Sequence, residues 1–388
     1  MAASRESAVR FIVALGIISL FADVTYEGAR SINGPFLGIL GAGPVVIGFV
    51  AGAGELAGYV LRLGAGVAAD HTRAYWPLTI FGYLVNMAAV PLMALSNHWE
   101  LAAALIIIER AGKGVRTPPR NVMLAQASSI VGRGWGFALH EFMDQTGAFI
   151  GPLIVALVLH ETRQYSLAYA ILAIPAGLAV ASMFTAVKFY PDPSRFEEAP
   201  QSAPPGGHRF PRAFWIYVLA GGLLAAGFVD FSLMAYHFQQ SALLSAPAIP
   251  ILYSAAMGAE ALTALAFGKL FDRFGMPALI FGVLLSSASS PLAFFGSVPV
   301  AAAGVILWSA GMGAQGSTLR AQIASLVPAD RRGSAYGIFD MVYGVLWFGG
   351  SATIGLLYAH ALPWAVSFAM AAQLCAIPLL WIVGRQRT

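Results

Sequence analysis

Apolar residues along this chain occur in long, nearly continuous blocks, separated by short stretches that carry glycine, proline or charge. Each block is close to the roughly 20 residues that an α-helix needs to cross the hydrocarbon core of a bilayer. Because the apolar residues run together instead of alternating with polar ones, helices are favoured over strands. Twelve blocks fit this description, at residues 9–31, 44–69, 75–95, 100–127, 134–159, 166–187, 213–238, 247–271, 276–296, 299–325, 333–358 and 363–384. The pattern predicts an all-α membrane protein with twelve transmembrane helices.

The composition excludes a water-soluble domain. Of the 388 residues, 58% are hydrophobic and only 10% are charged, whereas about 25% of the residues in an average soluble domain are charged. The chain has a single cysteine, Cys375, which excludes a disulfide framework and a multi-cysteine metal site. We expect no cofactor and no bound metal, and we expect the lipid bilayer to surround the protein.

The basic residues give the chain a formal net charge of +4, and their distribution predicts its orientation. Nearly all Lys and Arg residues in loops fall on one side of the predicted helices, and Arg163 is the exception. Cytoplasmic loops are the ones enriched in Lys and Arg, so we expect both termini to be cytoplasmic, in a prokaryotic inner membrane. This explanation of the charge makes a nucleic-acid partner unnecessary. The first apolar block is too long and too charged for a cleavable signal peptide, so it should remain as the first spanning helix.

One long polar stretch, residues 188–212, divides the helices six and six. Its proline, glycine and charged residues are typical of a flexible connector. We therefore predict an N-terminal six-helix bundle over 1–187, a cytoplasmic linker over 188–212, and a C-terminal six-helix bundle over 213–388.

The two predicted bundles also resemble each other in sequence. Three pairs of stretches align in the same order, and they match Asp23 with Asp230, Asp70 with Asp272, and Glu141 with Asp340. Internal repeats of this kind are typical of secondary transporters, in which the repeats move against each other around a central site.

Three motifs resemble those of the major facilitator superfamily. GKLFDRFG at 268–275 is similar to the family's loop motif, RAGKG at 110–114 to its fourth-helix motif, and GAFIGP at 147–152 to the GxxxGP motif typical of its antiporters. The resemblance implies two pseudo-symmetric six-helix bundles and transport by alternating access, and we expect a monomer. The third motif implies proton-coupled efflux by antiport.

Ionisable residues inside the spanning helices are candidate proton carriers, because a charge in a bilayer is costly and is usually retained for function. In the first helix, Asp23, Glu27 and Arg30 share one face. We expect Glu27 to pair with Arg30 and Asp23 to remain available for a proton, since burial favours the neutral form of a carboxyl group. The fifth helix adds three further candidates, His140, Glu141 and Asp144. The alternative for each residue is a structural ion pair between helices.

Other polar and aromatic residues of the spanning helices are candidate solute contacts. The fourth helix carries a basic stripe, which favours a solute with a carboxylate or phosphate group, and Pro118 and Pro119 should bend or break this helix. Aromatic residues at helical spacing are the least specific candidates, because most such residues serve packing. The set comprises Arg30, Glu55, Tyr59, Arg62, Arg110, Arg116, Arg120, Asp230, Tyr236, His237, Glu260, Asp340, Tyr343 and Trp347.

Two acid–base pairs near cytoplasmic helix ends are candidates for a gate. They are Asp70 with Arg73 and Asp272 with Arg273, and each acid occupies the same position of a repeated GxxxD stretch. The family resemblance implies that such loops hold the cytoplasmic gate in one state. The alternative is that these charges only make the loops soluble.

The sequence disfavours an enzyme and an ATP-driven pump, because it has no HExxH, GxxxxGK[ST] or GxSxG motif. We therefore predict a secondary active transporter for a small polar or anionic organic solute, with proton-coupled efflux as the first interpretation. Proton symport and facilitated diffusion of a metabolite are open alternatives. A membrane receptor or a lipid scramblase is a more distant one.

Overall fold

A computed structural model describes residues 4–193, 210–327 and 331–385, and within these ranges the chain is helical with no β-strand. The described residues form a 3₁₀ turn at Met93–Leu95 and fifteen α-helices: α1 (Arg5–Arg30), α2 (Asn33–Ile39), α3 (Pro44–Thr72), α4 (Tyr75–Leu92), α5 (Trp99–Val131), α6 (Arg133–Thr162), α7 (Tyr165–Ile171), α8 (Ala173–Phe189), α9 (Arg212–Ala226), α10 (Phe231–Gln240), α11 (Ala248–Phe274), α12 (Met276–Phe295), α13 (Val298–Leu326), α14 (Arg332–His360) and α15 (Leu362–Arg385).

The lengths and composition of these helices confirm the predicted fold class. Among the described residues, eleven helical segments are long and apolar enough to cross a membrane. The remaining long helix, α5, has 33 residues and carries Glu109, Lys113 and Arg116 near its middle. Helices satisfy their own backbone hydrogen bonds, which is why an apolar chain of this kind folds as helices in lipid.

The first predicted span, 9–31, ends with α1 at Arg30, and the short α2 follows it from Asn33. Two other predicted spans are interrupted: the sixth, 166–187, is divided at Leu172 into α7 and α8, and the seventh, 213–238, is broken between Ala226 and Phe231. The prediction of one uninterrupted helix over 213–238 is therefore wrong. In the intervening segment, Gly227 to Asp230, the carbonyls of Gly227 and Val229 accept hydrogen bonds from side chains of other helices.

Pro118 and Pro119 do not break α5, which continues as one helix from Trp99 to Val131. Of the predicted bend or break, the break is therefore wrong, and the bend stays a prediction. A proline inside a helix removes one backbone hydrogen bond, and neighbouring helices commonly compensate for that loss in membrane proteins.

Contacts between Cα atoms divide the chain into two compact units. Of the described residues, the first unit contains 4–40, 57–193 and 246–254, and the second contains 41–56, 210–245, 255–327 and 331–385. In the first unit, Phe11 and Leu15 of α1 pack with Tyr83 of α4, Met123 of α5 and Met183 of α8.

The core of the second unit is built by α9 and α12 to α15. Phe214 and Tyr217 of α9 pack with Leu279 of α12, Phe339 of α14 and Leu380 of α15. The boundaries of 1–187, 188–212 and 213–388 stay a prediction, and most of the predicted linker lies outside the described residues.

Candidate functional site

Two carboxylates of α1 face two cations of α5 inside the first unit. Oδ1 of Asp23 lies 3.6 Å from Nη2 of Arg116, and Oε1 of Glu27 lies 3.8 Å from Nζ of Lys113. The acids are four residues apart and the bases three apart, so each set follows one face of its helix. Because the later acid pairs with the earlier base, α1 and α5 run antiparallel here. We call these four residues the charged ladder.

The ladder residues are shielded from solvent. The side chains of Arg116 and Asp23 are 1% and 7% exposed, and that of Glu27 is 9% exposed. Only Lys113 is more accessible, at 27%. Removing one partner of a buried ion pair is strongly destabilising, by about 3–5 kcal/mol, because the other charge is left unpaired. Protonation of either acid in the ladder would therefore leave its partner cation buried and unpaired.

Tyrosine rings cover the cations of the ladder. Nζ of Lys113 lies 3.5 Å from the centre of the Tyr26 ring, and Cζ of Arg116 lies 4.4 Å from the centre of the Tyr83 ring. Arg110 also approaches Tyr26, with Cζ 4.8 Å from the ring centre and Nη1 donating to the hydroxyl. Cation–π contacts strengthen as water is removed, to about 2 kcal/mol or more, so the rings replace part of the lost hydration.

Arg116 is a buried cation with unused hydrogen-bond donors. Its Nε and Nη1 have no acceptor among the residues that the structure describes. A guanidinium group presents its N–H donors in a planar fork that matches a carboxylate or a phosphate. Since buried donors without acceptors are unfavourable, Arg116 is the strongest candidate in the first unit for binding an anionic group.

Glu109 lies one turn from Lys113 on α5, and its neighbours satisfy it. Nδ2 of Asn86 donates to Oε1 of Glu109 at 2.6 Å and to its backbone carbonyl at 2.9 Å. Nε of Arg110 lies 3.6 Å from Oε2 of the same carboxylate. These contacts join α4 to α5 and hold the stripe of α5 in place beside α1.

Ser19, one turn before Asp23 on α1, connects the ladder region to α6. Its Oγ accepts a hydrogen bond from Nη1 of Arg120 at 2.8 Å and lies 3.0 Å from Nε2 of His140. The same nitrogen of Arg120 lies 3.9 Å from Oδ1 of Asp144. Of the candidates on α6, His140 and Asp144 therefore join this polar cluster.

The third candidate on α6, Glu141, has a different setting. Its side chain is exposed and accepts a hydrogen bond from Nε2 of Gln145 at 3.1 Å. Residues four apart on a helix are neighbours, so this contact is local to α6.

Glu27 has a second partner that helical spacing does not reveal. The hydroxyl of Tyr253 donates to Oε2 of Glu27 at 2.6 Å, and residues 246–254 belong to the first unit. Arg30 is buried, and both Arg30 and Glu27 interact electrostatically with Tyr253. The pairing of Glu27 with Arg30 stays a prediction.

Asp23 has a cationic neighbour on another helix, and its availability for a proton stays a prediction. Spacing along α1 shows only that Arg30 is two turns away, and it carries no information about neighbouring helices. In the folded chain, Arg116 of α5 supplies the missing positive charge at 3.6 Å. Any proton that Asp23 receives must therefore compete with Arg116.

The glycines of GAFIGP bring α6 into direct contact with α1 beside Asp23. A Cβ atom on Gly147 would lie 2.3 Å from the carbonyl oxygen of Leu20, and one on Gly151 would lie 2.3 Å from that of Val24. Both distances are impossible for a real side chain. Small residues four apart let helix backbones approach closely in membranes, so this motif fixes the segment of α1 that carries Asp23.

In the second unit, the break in the seventh span exposes backbone carbonyls that side chains then satisfy. Nε1 of Trp308 donates to the carbonyl of Val229 at 2.8 Å, and Nε2 of Gln373 donates to that of Gly227 at 2.9 Å. Asp230, which is buried, caps α10 by accepting from the backbone N–H of Ser232 at 2.8 Å. Asp23 lies inside a helix, whereas its repeat partner Asp230 begins one, so the two positions have diverged.

Several aromatic candidates of the second unit form two groups. Nδ1 of His237 lies 2.7 Å from the hydroxyl of Tyr358, whose ring centre lies 6.2 Å from that of Tyr236. In the other group, the ring centres of Tyr343 and Trp347 are 5.7 Å apart, and the Tyr343 hydroxyl donates to Gln315 at 3.5 Å. Asp340 and Glu260 are partly buried in the same unit.

The candidates on α3 are divided between the two units. Tyr59 and Arg62 belong to the first unit, where Cζ of Arg62 lies 5.2 Å from the centre of the Tyr59 ring, and Glu55 belongs to the second. All three side chains are partly exposed. Their predicted role as solute contacts stays a prediction.

The candidate gate residues lie where they are predicted, at helix ends. Asp70 and Arg73 are exposed at the end of α3, and Asp272 and Arg273 are exposed at the end of α11. Three residues after each acid the backbone has a positive φ, 52° at Arg73 and 63° at Gly275. The two copies thus share a turn, while their role in gating stays a prediction.

Sequence reasoning missed five polar residues of the first unit, namely Ser19, Tyr26, Tyr83, Asn86 and Tyr253. Two of them left a usable signal. Ser19 is four residues before Asp23 on the same face, and Asn86 is the only amide in the apolar block 75–95. The tyrosines gave no comparable signal, because a tyrosine in a membrane helix is most often a packing or interface residue.

Comparison with known proteins decides the family. The family model described as Major Facilitator Superfamily matches residues 15–351 and, in a second match, 219–388. The chain belongs to this family. It is therefore a multi-pass membrane transporter and not an enzyme. An uncharacterized MFS-type transporter of Methanocaldococcus jannaschii is 24% identical over 355 residues, which cover 89% of this chain and 87% of that protein.

Further relatives and solved structures are similar to this chain over nearly its whole length. An uncharacterized protein of Mycobacterium tuberculosis is 40% identical over 386 residues, which cover 98% of this chain and 94% of that protein. A peptide transporter solved with alafosfalin has a TM-score of 0.80 at 13% identity, over 99% of this chain and 98% of its own. A nucleoside transporter has a TM-score of 0.73 at 13% identity, over 97% and 98%. At such identities the likeness to the solved structures establishes the shared fold alone.

Proposed function

We propose that this transporter couples the movement of a small anionic organic solute to the movement of protons, and that the charged ladder carries both. The single observation that supports the proposal most is the burial of Asp23 beside Arg116, with two nitrogens of Arg116 lacking acceptors among the described residues. When the pair separates, a proton can neutralise Asp23 and an anion can neutralise Arg116.

The charge of the cluster favours an anionic solute. Five basic side chains, Arg30, Arg110, Lys113, Arg116 and Arg120, lie among the acids Asp23, Glu27, Glu109 and Asp144, and Glu141 acts on Asp144. An anion that enters this cluster can pair with Arg116, two nitrogens of which lack acceptors among the described residues. A cationic solute would instead add to the positive charges already gathered there, at a high energetic cost in a low-dielectric surrounding.

In the ladder, the charge of the solute decides whether solute and proton bind together or compete. An anion that binds Arg116 displaces Asp23, and the carboxylate left without its cation then favours protonation. Proton and anion therefore bind together, which is the requirement for cotransport in one direction. A cationic solute would compete with the proton for Asp23, which is the requirement for antiport. With an anionic solute, proton symport is the mode that this geometry supports best.

Antiport is the second candidate, and the resemblance of GAFIGP to the antiporter motif favours it. Gly147 and Gly151 of this motif contact α1 beside Asp23, so the motif bears on the proposed proton site. Antiport would require the solute to bind at the acids of the ladder, as a cation or by hydrogen bonds, and not at Arg116. If the protein is an antiporter, we expect it to export its solute in exchange for protons.

The setting of the transporter follows from the charge distribution. We propose that the protein works as a monomer in a cytoplasmic membrane with both termini in the cytoplasm, since the basic loops lie on one side. Fusions of a reporter that is active only outside the cytoplasm would test this orientation. Activity of an intact, membrane-inserted fusion at either terminus would contradict it.

The function is tested by transport into proteoliposomes. Small carboxylates and phosphate esters are first screened by the thermal stabilisation of purified protein, and the hits are then offered to proteoliposomes with an imposed pH gradient. We expect accumulation of an anion against its gradient, and we expect Asp23→Asn to abolish accumulation while exchange at zero gradient persists. Exchange persists because it needs no net transfer of protons.

The matched control is Glu161→Gln, which neutralises an exposed acid at the end of α6. This variant should behave as the wild type in both reactions. Gradient-driven accumulation that survives Asp23→Asn would contradict the assignment of the proton, and Glu27→Gln and Asp144→Asn would then be the next variants to measure. Equal transport with and without a pH gradient in the wild type would instead indicate facilitated diffusion.

A further inference from the structure

A cavity opens at the end of the second unit where α12 begins. It has a volume of about 340 Å³ and is lined by the end of α11, by residues of α12, α13 and α15 and by the turn before α12. This volume falls within the roughly 300–1,000 Å³ of typical ligand pockets. It does not include any residue of the charged ladder, so its role is separate from the proposed transport chemistry.

The first feature that points to an anion is the start of α12. This 20-residue helix has Gly275 at its N-cap position, which offers no side chain to cap the helix. The N-terminus of a helix carries a partial positive charge and free N–H groups, and it attracts phosphate and carboxylate groups. Here that terminus lines the cavity through Gly275, Met276 and Pro277. Proline has no N–H, and the N–H groups of Gly275 and Ala278 bond to the carbonyls of Phe271 and Gly275, so the backbone donor that this terminus offers is the N–H of Met276.

The second feature is independent of the helix terminus. Gln322 of α13 lines the cavity and is only 2% exposed, and its Nε2 has no hydrogen-bond acceptor among the described residues. A buried amide donor without an acceptor is unfavourable, so a ligand that supplies an acceptor at this position would be stabilised. Arg385 of α15 also lines the cavity, and it adds a full positive charge.

The rim of the cavity is apolar and exposed on membrane-spanning helices. Phe274 is 56% exposed and Trp381 is 50% exposed, and Cζ of Arg385 lies 5.2 Å from the centre of the Trp381 ring. Tryptophan and arginine together are typical of the membrane–water interface. A ligand that suits both parts has an anionic head and apolar chains.

We propose that this cavity binds an anionic phospholipid. The headgroup phosphate accepts hydrogen bonds from the backbone N–H of Met276, from Nε2 of Gln322 and from Arg385, and the acyl chains lie against Phe274 and Trp381. Basic pockets between transmembrane helices bind lipid headgroups by this combination of charge and apolar surface.

The proposal is tested by native mass spectrometry of the intact protein in detergent, titrated with phosphatidylglycerol or phosphatidylcholine. We expect specific binding of phosphatidylglycerol that Arg385→Gln weakens about tenfold and Gln322→Leu about fivefold, because each change removes a donor to a charged acceptor. Lys269→Gln, at an exposed site outside the cavity, should leave binding unchanged. Melting temperatures of all variants verify that the fold is intact.

Three results would overturn the proposal. The first is equal affinity of the wild type for both lipids, and the second is wild-type affinity for phosphatidylglycerol in both cavity variants. The third is stabilisation by inorganic phosphate, in the absence of added lipid, that matches stabilisation by phosphatidylglycerol and is lost in Gln322→Leu. That result would assign the cavity to free phosphate. Since none of these outcomes involves solute transport, they are distinguishable from a failure of the proposed function.

Discussion

Neutralising both members of the Asp23–Arg116 pair should destabilise the protein much less than the sum of the two single changes. The pair is 3.6 Å apart, and both side chains are less than a tenth exposed. At an effective dielectric constant of about 20, opposite charges at that distance attract by roughly 4–5 kcal/mol. Loss of one partner leaves the other charge buried and unpaired, at a cost of about 3–5 kcal/mol.

The perturbation is therefore a double-mutant cycle of Asp23→Asn, Arg116→Met and the double variant. We expect each single change to lower the free energy of unfolding by about 3 kcal/mol. The double variant should be more stable than the sum of the single effects predicts, with a coupling energy of about 2–3 kcal/mol. Methionine fills much of the space of the arginine stem, so packing against Tyr83 is largely kept.

The assay is reversible unfolding in mixed micelles at pH 8, where carboxylates are ionised in water. The matched control is the pair Glu6 and Arg10 on α1, whose atoms are closer, at 2.5 Å, but whose side chains are 73% and 71% exposed. Exposed pairs are weak even when they are short, and the control cycle should give less than about 1 kcal/mol. Burial, not distance, then decides the coupling.

A coupling energy for Asp23 and Arg116 no larger than that of the control pair would refute this reasoning. It would mean that water or other charges neutralise Arg116 without help from Asp23. The proposed exchange of a proton for an anion at this pair would then lose its energetic basis.

Three further predictions concern other parts of the chain. Gly151→Leu should abolish transport and lower the melting temperature, because the new side chain pushes α1 away from α6. Gly177→Leu should do neither, because a side chain at Gly177 meets open space. Equal behaviour of the two variants would contradict the close contact of α1 and α6. Gln373→Leu should lower the free energy of unfolding by about 1–3 kcal/mol, since a buried carbonyl loses its donor, and a change within error in denaturant titration would contradict this role. Asp70→Asn and Asp272→Asn should slow transport at saturating solute without weakening binding, and the reverse pattern would exclude a gate.

The fold was predictable because membrane helices are encoded locally. Blocks of about 20 apolar residues identify them without knowledge of their neighbours, and the helical repeat correctly predicts the face shared by Asp23 and Glu27. The same repeat correctly predicts the stripe of Lys113 and Arg116 on α5. The helical repeat does not show which helix face packs against which other helix.

The candidate site was therefore only partly predictable. The pairing of Asp23 with Arg116 depends on how α1 and α5 pack, and the contact of Tyr253 with Glu27 joins residues 226 positions apart. The break before Asp230 also escaped prediction, because its freed carbonyls are stabilised by Trp308 and Gln373 from distant helices. Such long-range compensation is invisible to local hydropathy.

The most direct test of the central claim is the number of protons that the protein takes up when it binds its solute. Calorimetric titration in buffers of different ionisation enthalpy measures this number in detergent, without transport. An anion that displaces Asp23 from Arg116 should bring an uptake of up to about one proton, since the freed carboxylate favours its neutral form. Asp23→Asn should reduce the uptake to zero while solute still binds. Release of protons in the wild type would support antiport, and binding without any proton exchange would contradict proton coupling at the charged ladder.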